Sequence, residues 1–164
     1  MKTYTEAELV QLGLCLQCCD YAAIRLVKQT ARIKAGVDVK NRADHGFFIE
    51  RIFLVKGFII NFSQVLSFFH KAEDKDLFKL MTSTDEQRQS FYENIRGVSA
   101  HIPIFDEYIK GVSELMAGTG GVNWFMEFNI VKKYLKTLIN DISENEANNF
   151  LEDWDNFSKE LSQA

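Results

Sequence analysis

From Leu9 onward, core-type residues recur at Leu12, Leu16, Cys19, Ala23, Leu26, Thr30 and Ile33. This alternation of three and four places them on one stripe of a helix. Thr5 and Glu8, three apart just before the stripe, form a capping box in which each side chain meets the other's backbone N–H, and Gly36 suits the far end. The first helix is therefore expected over about 5–35. A second, over about 41–71, repeats the spacing at Phe48, Ile52, Val55, Ile59, Phe62, Leu66 and Phe69, while Phe47, Phe53, Phe58, Ile60, Val65 and Phe68 fill its other sides. A helix apolar nearly all round is expected to be surrounded by others. A short helical segment is expected around 76–81.

The third long helix opens at Ser83 and Thr84, which have Glu86 and Gln87 three residues on. It continues through Phe91, Ile95, Val98, Ile102, Phe105, Ile109, Val112 and Met116. Pro103 lacks a backbone donor and clashes one turn back, so a kink is expected near 100–103. The flexible Gly118-Thr119-Gly120-Gly121 link precedes a fourth helix carrying Trp124, Phe128, Val131, Leu135, Leu138 and Ile142. A further capping box, Ser143 with Glu146, opens a fifth that carries Ala147, Phe150, Trp154, Phe157 and Leu161. With no internal repeat, the expected architecture is all-α: one single-domain antiparallel bundle of about five helices around the Phe-rich second one.

Composition narrows the class. A chain of 164 residues, 46% hydrophobic and 26% charged, fits one folded domain and not a disordered tail. One Pro and 9 Gly are too few for the many tight reversals of a sandwich or barrel. The first ten residues carry acids and no apolar core of a signal peptide, so no secretory signal is expected. The longest charge-free run, Gly57 to Phe69, is short for a bilayer and follows Glu50, Arg51 and Lys56, which suggests a buried helix, no membrane and a cytoplasmic location.

Charge is uneven. Residues 1–82 hold 12 Lys and Arg against 9 Asp and Glu, a balance of +3, and residues 83–164 hold 7 against 14, a balance of -7. Bases concentrate between Arg25 and Arg42, and six acids without a base lie between Asp141 and Asp155. Arg25, Lys28 and Arg32 share one helical face, with Lys34 nearby, and are the candidate partner-binding residues. A sequence pI of about 5.4 and the absence of interleaved aromatics turn this face toward an acidic protein partner and away from nucleic acid. Pairing of the basic stretch with the acidic fifth helix of a second copy would give a homo-oligomer.

Candidate chemistry is sparse. Cys15, Cys18 and Cys19 share one helix, but a structural zinc site needs four ligands and His45, His70 and His101 are scattered, so neither metal nor cofactor is expected. Buried packing accounts for Cys19, and helix-end positions account for His45 and His70. The segment Arg96-Gly97-Val98-Ser99-Ala100-His101 resembles the Arg-x4-6-His motif of HEPN domains, all-α proteins of similar size that often cleave RNA. The resemblance covers six residues and departs from the usual pattern at Gly97, where a polar residue tends to stand. It implies that Arg96 would stabilise a phosphate and His101 would move a proton, with the pair completed across a dimer. Residues five apart lie about 140° round a straight helix, so the two converge only if the helix breaks or a second subunit contributes. A second alternative is an apolar-ligand carrier with Phe47, Phe48, Phe53, Phe58, Phe62, Phe68 and Phe69 lining a cavity and Asn61 or Gln64 as polar contact. The leading expectation is a soluble, non-catalytic protein-protein interaction module such as an adaptor, an immunity-type inhibitor or an assembly subunit.

Overall fold

The computed structural model describes residues 3–35, 45–89, 123–142 and 145–164. Among them the chain is all-α, with no strand. The helices are α1 (Glu6–Lys34), α2 (His45–Lys71), α3 (Lys75–Leu80), α4 (Trp124–Asn140) and α5 (Asn145–Gln163). A further helical stretch begins at residue 85. The expected third helix beyond residue 89, Pro103, the glycine link at 118–121, Gly36 and the start of the second helix at 41–44 lie outside the described residues. So does Ser143 of the last capping box.

The helix starts follow local chemistry. The Thr5 amide donates to Glu8 Oε2 at 2.9 Å and the Glu8 amide to Thr5 Oγ1 at 3.3 Å, which is the expected reciprocal cap. The same box closes at the 85–89 stretch, where Thr84 N–H donates to Gln87 Oε1 at 2.8 Å and Gln87 N–H to Thr84 Oγ1 at 3.2 Å. At α4 the cap is Asn123, whose side chain accepts from the Met126 amide at 3.1 Å.

The reversal between α2 and α3 is built on one residue. Glu73 holds φ 53°, the left-handed conformation, and its amide donates to His70 O while the Asp74 amide reaches back to Phe69 O. This pair of bonds is a Schellman end, at a position usually given to glycine. Asp74 then caps α3 through the amides of Asp76 and Leu77 at 3.1 and 3.0 Å.

Among the described elements α1 is the hub, packing on α2, α4 and α5. Leu9, Leu12, Leu16, Cys19 and Leu26 are buried as their spacing requires. In the second half, however, Ala22 and Gln29 take the covered positions, and Ala23 and Thr30 are only half-buried. Spacing fixes a stripe, but the neighbouring helices decide which side of it they cover. On α2, Leu54, Val55, Phe58, Ile59, Phe62, Val65, Leu66 and Phe69 are buried. The rings of Phe58 and Phe62 meet Phe128 of α4 at 5.4 and 5.9 Å between centroids. On its other side, Ile49, Phe53 and Ile60 are exposed, and the described helices leave them uncovered.

Two glycines in helix interiors separate backbone cost from packing. A Cβ on Gly57 would meet nothing within 4 Å, whereas one on Gly13 would lie 2.4 Å from the Phe150 ring of α5, so Gly13 permits the close approach of that helix. Gly57→Ala should therefore raise unfolding free energy by about 1 kcal/mol through helix propensity. Gly13→Ala should lower it by about 1–2 kcal/mol by overpacking, both read from urea unfolding.

Candidate functional site

Among the described residues three acidic side chains are taken out of water, and each is met by donors from distant segments. Asp20 on α1, 6% exposed, receives Lys132 Nζ of α4 at 2.7 Å, and Trp154 Nε1 and Ser158 Oγ of α5 at 3.1 and 2.7 Å. Asp74 receives the Tyr134 hydroxyl at 3.0 Å and the Tyr4 hydroxyl, in addition to its cap bonds. Glu127, fully buried, accepts through Oε1 from the Ser83 amide at 2.8 Å, the Thr82 amide at 3.0 Å and the Thr82 hydroxyl. Beside it the Arg88 guanidinium donates to Ser83 O at 2.5 Å, pairs with Asp85 and lies 4.7 Å from the centroid of Phe78. These groups join helices, and their polar atoms are turned inward.

Burial alone would push the Asp74 carboxyl up, but bonds from Tyr4, the Leu77 amide, Tyr134 and the Asp76 amide outweigh it and hold the group below the usual carboxylate value. The hydroxyls of Tyr4 and Tyr134 are driven upward by burial and by the same carboxylate, so both remain donors at physiological pH.

The basic residues of α1 divide. Arg25 donates to Glu50 of α2 at 2.5 Å, with both side chains about two-fifths exposed. Lys28 Nζ donates to Leu161 O near the end of α5 at 2.6 Å. Arg32 is exposed, and the side chain of Lys34 lies outside the described residues. Arg25 and Lys28 thus tie this face to α2 and α5. Of the acidic stretch, Asp155 pairs with Lys136 of α4.

The three cysteines point to different environments. Cys19 is buried and its Sγ lies 3.5 Å from Phe58 O, Cys15 is half-buried and Cys18 is exposed. Burial pushes the Cys15 and Cys19 thiols up, away from the reactive thiolate. Among the described residues no cluster of three His, Cys, Asp or Glu is placed to hold a metal ion. His70 is exposed with its ring 6.1 Å from that of Phe78, and His45 is the first residue of α2. Arg96 and His101 lie outside the described residues.

Of the α2 phenylalanines, Phe58, Phe62, Phe68 and Phe69 pack against other rings, Phe53 is exposed, the side chains of Phe47 and Phe48 lie outside the described residues, and the two proposed polar contacts are turned elsewhere. Asn61 Nδ2 donates to Gly57 O at 2.7 Å in its own helix, and Gln64 is exposed. Two segments, Glu6–Arg32 and Ile49–Lys71, are long and apolar enough to cross a membrane by length and composition. The charge-free run at 57–69 is short alone, but it sits in a continuous helix whose flanking residues extend it to that length. No protein family, curated protein or solved structure matches the chain.

Asp74 gives a pH test with a definite sign. Because its folded pKa is depressed, it contributes stability above the ordinary carboxylate value of about 4, and this is lost as pH falls through the folded value. Asp74→Ala should cost about 2–3 kcal/mol at pH 7, from a lost cap and from one buried and one half-buried hydroxyl left without this acceptor. The gap to the parent protein should narrow in urea titrations below about pH 4.

Proposed function

We propose that the protein is a non-catalytic protein-protein interaction module that works in the cytoplasm. The observation that carries this reading is the outer face of α2. Ile49, Phe53 and Ile60 recur there at spacings of four and seven and are 52%, 70% and 39% exposed. Large apolar side chains aligned on one exposed helix face are a feature of contact surfaces, because water around them is released on docking. The buried acidic groups fit the same reading, since among the described residues the donors around them belong to the fold.

Arg25 borders this face through its pair with Glu50 beside Ile49, and exposed Arg32 extends the basic edge along α1. The partner that suits it is another protein whose contact surface is apolar at the centre and acidic at the rim. Arg25, Lys28, Arg32 and Lys34 then act as a border that steers and orients, and the α2 stripe supplies contact area. On this reading the whole chain is one antiparallel bundle of about five main helices, in which the apolar residues of α1 and α2 serve as core. A second copy, offering the acidic segment of α5, is the homo-oligomeric form of the same contact.

The test compares variants that leave the core intact. The tagged chain recovers one stoichiometric protein from its native host, or purifies as a dimer by light scattering. Phe53→Asp and Arg32→Glu should each reduce that association at least about tenfold, with unchanged helical content and melting temperature. Association equal to the parent in Phe53→Asp, or a chain that is monomeric and recovers no protein, would overturn the proposal.

A further inference from the structure

A separate feature lies between α1, α4 and the end of α5, where a cleft of about 420 Å³ opens to solvent. Its size is in the range of small-molecule sites, about 300–1,000 Å³. One wall is apolar α1 surface that includes Ile24 and Val27, and the other is formed by Phe125 and Phe128 of α4. Val27 is 61% exposed although it is aliphatic, so the cleft presents apolar area to water.

The charges at the cleft are unequal in what they have left to give. Asp20 reaches its lining, but its carboxylate is matched by Lys132 and filled by Trp154 and Ser158. Lys28 also lines it and spends one donor on Leu161 O. An ammonium has three donors and Leu161 O takes one, so two N–H groups remain for a ligand at the rim. We propose that this cleft binds a small amphipathic organic anion, a carboxylate with a short apolar body. The body lies between Val27 and the two phenylalanine rings, and the carboxylate pairs with Lys28. A cation of the same shape would meet Lys28 as a like charge, and a neutral alcohol would forgo the ion pair. The cleft shares Lys28 with the basic border but none of the apolar residues of the α2 face, so a substitution on that face separates the two proposals.

Sodium octanoate is the probe, titrated into the full chain while backbone amide resonances of Val27, Lys28, Phe125 and Asn129 are followed by NMR, with octanol and octylammonium in parallel. Saturable shifts at these amides with octanoate are expected, with octanol and octylammonium at least about tenfold weaker. Lys28→Met, which keeps the aliphatic stem, should weaken octanoate by about tenfold. Val27→Glu, at an exposed position, should abolish binding with the fold retained. Phe53→Asp should bind octanoate as the parent does. Absence of saturable shifts, equal binding of octanol, or parent-like binding by Lys28→Met would each overturn the assignment. Loss of binding in Phe53→Asp would move the ligand to α2 and overturn it as well.

Discussion

A carboxylate removed from water must be met by donors of fixed position, and this requirement sets α4 in place. Lys132 serves Asp20, Tyr134 serves Asp74, and Glu127 is itself the third buried acid, held by the amides at 82 and 83. Leaving any of these groups unpaired costs several kcal/mol, more than a slip in apolar packing. Hydrophobic contact lets a helix slide or turn at small cost, but three polar attachments along one helix allow one register. The apolar face of α4, with Phe128, Val131 and Leu135 buried, is then brought against the rest of the core.

The same arrangement makes α1 the common support. Its buried stripe faces α2, Asp20 joins it to α4 and α5, and Lys28 holds the end of α5. Gly13 lets Phe150 approach, and Tyr21 stacks with Phe157 at 6.3 Å between centroids. These contacts draw α5 and α4 onto α1, and among the described helices none is drawn over Ile49, Phe53 and Ile60 of α2, which are exposed.

Much of the helix content was legible from spacing and caps. The span of α1, the boxes at Thr5 and Thr84, and the apolar positions of α4 and α5 are local properties, written within three or four residues of each other. The interior of α2 was only half legible. Periodicity marked Phe58 and Phe53 alike as apolar, yet Phe58 packs against Phe128 and Phe53 stands in solvent. The basic residues of α1 looked equivalent along the chain, but Arg25 answers Glu50, Lys28 answers a carbonyl of α5 and Arg32 remains exposed. Their roles differ through partners 25 and 133 residues away.

By itself, then, the sequence determined that the chain is helical and where several helices begin, because propensity, capping and the 3.6-residue period act within one or two turns. It also set the charge imbalance and the apolar content. The tertiary structure decided which acids are buried, which apolar residues of α2 remain outside, and where a cleft opens beside Lys28. Those outcomes depend on pairings such as Asp20 with Trp154 and Tyr4 with Asp74, 134 and 70 residues apart. No local pattern encodes such a distance. It follows from fitting helices so that these buried acids meet their donors while the core residues are packed at the same time.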